Sequence, residues 1–129
     1  MSSSRLEAAR ALHRRWFTLD THLDTPTASL MRVGWDFAAR HAFAEDGSQC
    51  DLPRMAEGGL AGAFFAVYVG QAARSPAGLA FAHERAVAFV ERTRDVLAAN
   101  SAQSGLALTA DDGLALWKAK RRAIYLSLE

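Results

Sequence analysis

Residues 60–69 read Leu-Ala-Gly-Ala-Phe-Phe-Ala-Val-Tyr-Val, a nearly continuous apolar run that ends at Gly70. Strands buried on both faces have this composition, and they occur in parallel sheets that helices cover. A short helix is predicted over residues 51–59, because Asp51 can cap it, a proline lies in its first turn and two glycines end it. The run therefore predicts a strand of a parallel α/β sheet.

Helices and strands alternate on either side of this run. Ser75-Pro76 opens the longest expected helix, because serine caps and proline suits the first helical position. Thr109 and Asp112 have the spacing of a capping box, which predicts another helix start. Alternation of this kind indicates βαβ units and a parallel sheet. The expected order is helix, strand, short helix, strand, long helix, short helix, strand, over residues 3–16, 17–24, 51–59, 60–69, 75–100, 109–117 and 123–129.

One long segment, residues 25–50, has no clear period. Residues 31–43 are expected to hold a short helix, although Gly34 weakens that expectation. A connection of this length is uncommon in a compact domain and often functional.

Composition excludes several classes of function. The chain has 129 residues, half of them hydrophobic, and a net charge of +1, which fits one soluble domain with no nucleic-acid partner. The basic run 118–122 is interpreted as helix-end charges facing solvent. No apolar run is long enough for a membrane span and no signal peptide is visible, so we expect a cytoplasmic protein unless a leader was removed. The single cysteine, Cys50, is expected to be a quiet structural thiol.

The chemistry-bearing residues lie where strands are expected to end. His22 and Asp24 are two apart on the first strand, so both side chains leave one face, and Glu129 ends the last strand. Active sites of parallel barrels lie at the carboxyl ends of strands, and His, Asp and Glu can bind zinc. The alternatives are a capping Asp beside an ordinary His, a satisfied core Thr21–His22 pair and a solvent-exposed Glu129.

Three blocks of sequence resemble the opening of the renal (membrane) dipeptidase family. They are residues 20–26 (Asp-Thr-His-Leu-Asp-Thr-Pro), 51–60 (Asp-Leu-Pro-Arg-Met-Ala-Glu-Gly-Gly-Leu) and 63–69 (Ala-Phe-Phe-Ala-Val-Tyr-Val). Residues 108–112 and 124–129 continue the match in the same order. The second block is the most specific, and the resemblance covers most of the chain from residue 9 onward.

The resemblance implies a zinc-dependent dipeptidase on a (β/α)8 TIM barrel, related to the amidohydrolases. It implies that His22 and Asp24 bind one zinc ion and that Glu129 bridges two. A hydroxide between the two ions would attack the scissile carbonyl of a dipeptide. It further suggests a homodimer.

The family's later metal-binding and substrate-binding residues have no counterpart here. His13 and His83 are interpreted as ordinary helix histidines, and His41, in the long loop, is a minor candidate for a substrate contact. No catalytic residue is therefore assigned beyond the three metal ligands. About three parallel strands cannot close a barrel of about 250 residues. We expect residues 1–129 to be the N-terminal part of one hydrolase domain, inactive alone.

Two other functions remain open from the sequence. One is a non-catalytic chain, either a truncated paralogue or an interaction module that keeps the strand motifs as core. The other is hydrolysis of a cyclic amide by an amidohydrolase-like enzyme.

Overall fold

The structure is a computed structural model, and it describes residues 3–129. All four strands of the described chain are parallel and form one sheet in the order β1-β2-β4-β3. The strands are β1 (Leu19–Leu23), β2 (Gly62–Val67), β3 (Ser104–Leu106) and β4 (Arg122–Leu128). The helices are α1 (Ser3–His13), α2 (Phe43–Asp46), α3 (Leu52–Gly58), α4 (Pro76–Ala99) and α5 (Ala110–Lys118).

Strand β2 lies inside the sheet, between β1 and β4. Every residue of β2 is buried except the half-buried Phe64, which confirms the interpretation of the apolar run. Its side chains pack with residues of α3, α4, β4 and the long connection. The core comprises Leu30, Trp35, Phe37, Cys50, Leu52, Met55, Ala63, Phe65, Val96, Leu97 and Ile124.

Local sequence signals set the starts and ends of three helices. The Asp51 carboxylate accepts the Arg54 N–H at 2.8 Å at the start of α3, and Gly59, at φ +74°, ends that helix. The Ser75 hydroxyl caps α4, and α5 begins with a full capping box between Thr109 and Asp112. These predictions are confirmed. No helix of the described chain has both the length and the apolar character needed to cross a bilayer.

Strand β3 has no counterpart among the expected elements, so the sheet has four strands instead of about three. Its three residues, Ser-Gly-Leu, are too few to show a period, and they pair only with residues 122–124. Arg121 stabilises β3, because its Nη2 donates a hydrogen bond to the Ser104 carbonyl at 2.8 Å. The solvent-facing interpretation of the basic run is wrong at this point. Arg121 and Arg122 are half-buried, and burial lowers the pKa of Arg122.

The connection from β1 to α3 holds no helix over residues 31–43, so that expectation was wrong. A π-helical turn spans Pro26–Leu30, and Gly34 takes φ +77°, which interrupts any continuing helix. The buried Phe37 then packs its ring 5.7 Å from that of Phe65. The connection is thus packed into the core through Leu30, Trp35 and Phe37.

Candidate metal centre at the carboxyl end of the sheet

Parallel pairing brings the ends of β1, β2 and β4 to one edge. Leu23 is aligned with Phe65, and Val67 is aligned with Leu128. Asp24, which follows β1, and Glu129, which follows β4, therefore lie at the same end of the sheet. This is the edge at which α/β proteins place their active sites.

The ring of His22 lies between two carboxylates. Its Nε2 is 3.3 Å from Asp24 Oδ1, and its Nδ1 is 3.1 Å from Glu129 Oε1. The side chains of His22, Asp24 and Glu129 are 51%, 62% and 41% exposed, so the cluster is open to solvent. The structure therefore brings together the three residues that the sequence singled out, from opposite sides of β2.

Backbone hydrogen bonds position both carboxylate-bearing residues. The Asp24 carbonyl accepts the Ala28 N–H at 2.8 Å and the Thr27 hydroxyl at 3.1 Å. The Glu129 N–H donates to the Val67 carbonyl at 3.1 Å, and the Glu129 carbonyl accepts the Val69 N–H at 3.4 Å. The site is thus attached to the sheet and to the first turn after β1.

The donor set fits a divalent metal ion in part. Two ligands of one tetrahedral zinc lie roughly 3.3 Å apart when each is about 2.0–2.2 Å from the ion. The His22–Asp24 separation of 3.3 Å and the His22–Glu129 separation of 3.1 Å are close to that value. One ring nitrogen faces each carboxylate, however, so with the side chains in these positions a single ion could lie between only one of the two pairs. No three His, Cys, Asp or Glu side chains of residues 3–129 form a ready metal cluster.

The His41 side chain is enclosed by other residues of the long connection. Its ring stacks on Trp35 at a centroid distance of 4.6 Å, its Nδ1 lies 2.7 Å from Asp46 Oδ2, and its Nε2 lies 2.8 Å from the Asp36 carbonyl. Hydrogen bonds from Ser48, together with the contact to His41, keep the pKa of Asp46 well below its usual range. Both ring nitrogens are occupied within the loop, which favours a loop-ordering role over a substrate contact.

The remaining candidate side chains lie away from the cluster. His13 Nδ1 donates to the Gly58 carbonyl at 3.0 Å, and His83 is exposed on α4. Cys50 is buried, and burial raises the pKa of its thiol to about 11. An inert structural thiol was expected, and this environment is consistent with it.

A cavity of about 390 Å³ lies beside the cluster and was not anticipated from the sequence. It is lined by Thr27, Tyr68, Val69, Gly70, Phe81, Arg85 and Phe89. Its one sequence signal is the four-residue spacing of Phe81, Arg85 and Phe89, which places them along one face of α4. The two aromatic residues fit a core pattern equally well, so the spacing alone indicated no cavity.

The chain is similar to known proteins in sequence and in fold. A family model described as membrane dipeptidase (peptidase family M19) matches residues 6–129. The structure superposes on the crystal structure of the probable dipeptidase PvdM from Pseudomonas aeruginosa with a TM-score of 0.80 at 18% identity, covering 99% of this chain and 32% of that one. It superposes on the metallopeptidase dipeptidase AC, of family M19, with a TM-score of 0.68 at 23% identity, covering 87% of this chain and 34% of that one. No curated protein matches the chain.

The two solved structures are TIM-barrel dipeptidases, and this chain spans about a third of the length of each. At these identities the likeness concerns the fold. The four parallel strands and their helices are therefore a portion of a (β/α)8 barrel, as expected from the sequence.

Proposed function

The chain belongs to the membrane dipeptidase family, peptidase family M19, and on that basis we propose that it is part of a zinc-dependent dipeptidase. The observation that carries the proposal is the placement of His22 between Asp24 and Glu129 at the carboxyl edge of the sheet. Two structural neighbours that are described as dipeptidases support the same reaction class.

In this proposal the three residues hold the metal from two sides of β2. His22 and Asp24 would bind one zinc ion, and Glu129 would bridge to a second. Zinc, when bound, supplies Lewis acidity and a nucleophile at neutral pH for attack on a peptide carbonyl. Hydrogen bonds to the main chain of Asp24 and Glu129 hold both residues at the carboxyl end of the sheet, so the chain's own contribution is to place the ligands near one another.

The proposal assigns the missing ligands to other strands of the same barrel. Three side chains give at most one shared imidazole and two carboxylates, which is too few for two complete zinc shells. Residues 1–129 would therefore form part of one hydrolase domain. The side chains of His22, Asp24 and Glu129 are open to solvent, so a zinc ion held there would stay accessible to water and substrate, as a catalytic zinc site requires.

The metal content of the complete enzyme tests the proposal. We expect two zinc ions per chain by elemental mass spectrometry, and a loss of at least one in His22→Ala. His83→Ala is the matched control, because His83 is exposed on α4, does not line the candidate centre and should not change the zinc content. Equal zinc content in wild type and His22→Ala would instead favour a hydrogen-bonded structural cluster and hence a non-catalytic interaction module.

A substrate comparison separates the two hydrolase alternatives. The zinc-loaded enzyme is expected to cleave unblocked dipeptides such as Ala-Ala and to leave a cyclic amide intact. Cleavage of the cyclic amide without dipeptide hydrolysis would favour the other amidohydrolase-like activity.

A further inference from the structure

The cavity beside the candidate metal centre is joined to it at two points. Thr27, which lines the cavity, donates its hydroxyl hydrogen bond to the Asp24 carbonyl at 3.1 Å. Val69, which also lines the cavity, donates its N–H to the Glu129 carbonyl at 3.4 Å. Residues that line the cavity are therefore hydrogen-bonded to Asp24 after β1 and to Glu129 after β4. A molecule bound at the centre would have the cavity as its neighbour.

Three of the residues that line the cavity are aromatic. Phe89 is only 5% exposed, whereas Phe81 and Tyr68 are 55% and 51% exposed. The volume of about 390 Å³ is within the range of small-molecule sites, which are typically apolar with a few fixed polar groups. Such a space accommodates one amino-acid side chain and the adjoining backbone.

Arg85 is the charged group of the cavity. Its guanidinium carbon lies 4.9 Å from the centroid of the Phe89 ring, so the side chain is laid against the aromatic wall. Among residues 3–129 it forms no ion pair or hydrogen bond with a side chain or carbonyl. Its neighbours one turn away on α4, Phe81 and Phe89, provide no carboxylate. The guanidinium keeps its donors available for a ligand.

A guanidinium has a fork of donors that matches the two oxygens of a carboxylate. Contact with the Phe89 ring restricts the Arg85 side chain, so less side-chain entropy is lost when an anion binds. The Phe81, Phe89 and Val69 side chains would contact the methylene groups that carry a carboxylate. The cavity thus matches a short acidic side chain better than an apolar or cationic one.

We propose that this cavity is a specificity subsite in which Arg85 binds the side-chain carboxylate of an Asp or Glu residue of the dipeptide. The proposal rests on the proposed dipeptidase function and adds the substrate class to it. Arg85 acts here in substrate selection and not in bond cleavage. The Phe81 and Tyr68 rings would flank the bound side chain.

Dipeptide pairs that differ only in charge test the proposal on the complete, zinc-loaded enzyme. The pairs are Ala-Glu against Ala-Gln and Glu-Ala against Gln-Ala, so the pair that responds also identifies which residue of the dipeptide enters the cavity. We expect a higher kcat/KM for the acidic member of one pair. In Arg85→Gln that preference should fall by about tenfold, the effect of losing one partly exposed charge-assisted contact.

Two further variants control the experiment. Arg94→Gln removes the same charge from an exposed position on the same helix and should leave the acidic preference unchanged. Arg85→Glu should disfavour the acidic dipeptide further and favour Ala-Lys or Lys-Ala. Hydrolysis of Ala-Ala by Arg94→Gln should stay within about twofold of wild type.

The outcomes separate the two proposals. If no dipeptide is cleaved by the zinc-loaded wild type, the proposed function is wrong and the subsite falls with it. If Ala-Ala is cleaved but the ratio of acidic to amide substrate is the same in wild type, Arg85→Gln and Arg85→Glu, the function stands and the subsite is wrong.

Discussion

The hydroxyl of Tyr125 lies against Gly113, in the space that a Cβ atom would occupy at that position. The same hydroxyl donates a hydrogen bond at 3.3 Å to the carbonyl of Thr109, the N-cap residue of α5. The ring itself stacks on Phe64 at a centroid distance of 4.8 Å, so it cannot readily move aside. Gly113 therefore allows α5 to approach β4 closely.

We expect Gly113→Ala to lower the free energy of unfolding by about 1 kcal/mol, measured by urea denaturation. Overpacking costs roughly 1–3 kcal/mol, and the better helix propensity of alanine offsets about 1 kcal/mol of that. Tyr125→Phe removes the clashing oxygen. The double variant should therefore be more stable than the sum of the two single changes predicts, and strict additivity would contradict the packing explanation.

Asp51 is completely buried, and its charge is neutralised by Arg54. Its Oδ2 lies 2.6 Å from Arg54 Nε and also accepts the His41 N–H at 2.9 Å, while Oδ1 caps α3. We expect Asp51→Ala to lower the free energy of unfolding by about 3 kcal/mol, because it leaves a half-buried guanidinium without its partner and removes the cap. Thermal denaturation measures the change.

Two further variants separate the loss of the cap from the loss of the buried ion pair. Asp51→Asn keeps the cap acceptor and should fall between wild type and Asp51→Ala. Glu57→Ala breaks an exposed ion pair with Arg40 and should change stability little. The explanation fails if the exposed pair is as costly to break as the buried one.

We expect Cys50 to make the free energy of unfolding depend on pH in the alkaline range. Burial raises the pKa of its thiol to about 11 in the folded protein, from an unperturbed value near 9. Between these values the unfolded chain loses the proton and the folded chain keeps it, so stability falls as pH rises from about 9 to 11. The decrease should reach about 2–3 kcal/mol, since one pKa unit is 1.36 kcal/mol.

Cys50→Ala isolates this contribution, because a variant without the thiol should lose that part of the pH dependence. Alkylation gives a second measurement. Iodoacetamide at pH 8 should label the folded protein far more slowly than the protein in urea. Equal labelling rates in the two states would show that the thiol is accessible.

Metal binding should stabilise the folded enzyme. If the centre binds zinc only when folded, free zinc at one hundred times its Kd adds about 2.7 kcal/mol to the free energy of unfolding. A chelator should lower the Tm of wild type and should lower that of His22→Ala by less. A chelator effect of the same size in both proteins would place the stabilising metal elsewhere.

Local patterns in the sequence were sufficient for much of the fold. The apolar run of β2 and the caps at Asp51, Ser75 and Thr109 depend on neighbouring residues, and the structure has them as expected. The juxtaposition of His22, Asp24 and Glu129 followed from a further rule, that parallel strands end at one edge. Their role as metal ligands stays a prediction.

Other features depend on contacts that no local pattern contains. Strand β3 is held by pairing with β4 and by Arg121, and three residues have no readable period. The segment 31–43 has helix-forming residues, but burial of Trp35 and Phe37 against the core determines its conformation. The cavity at Arg85 joins residues from three separate parts of the chain, which only the folded structure reveals.

The pairing of β3 also has a kinetic consequence. The paired residues Ser104 and Arg122 are close in sequence, because only one short helix separates them. The pairs Leu19–Gly62 and Gly62–Ala123 are much further apart in sequence. Closing the smaller loop costs less entropy, and contacts close in sequence form faster. We therefore expect the unit β3-α5-β4, with its capping box and the Tyr125 hydroxyl packed at Gly113, to form before β1 and β2 pair with it. In that order, Glu129 is positioned before His22 and Asp24 arrive beside it.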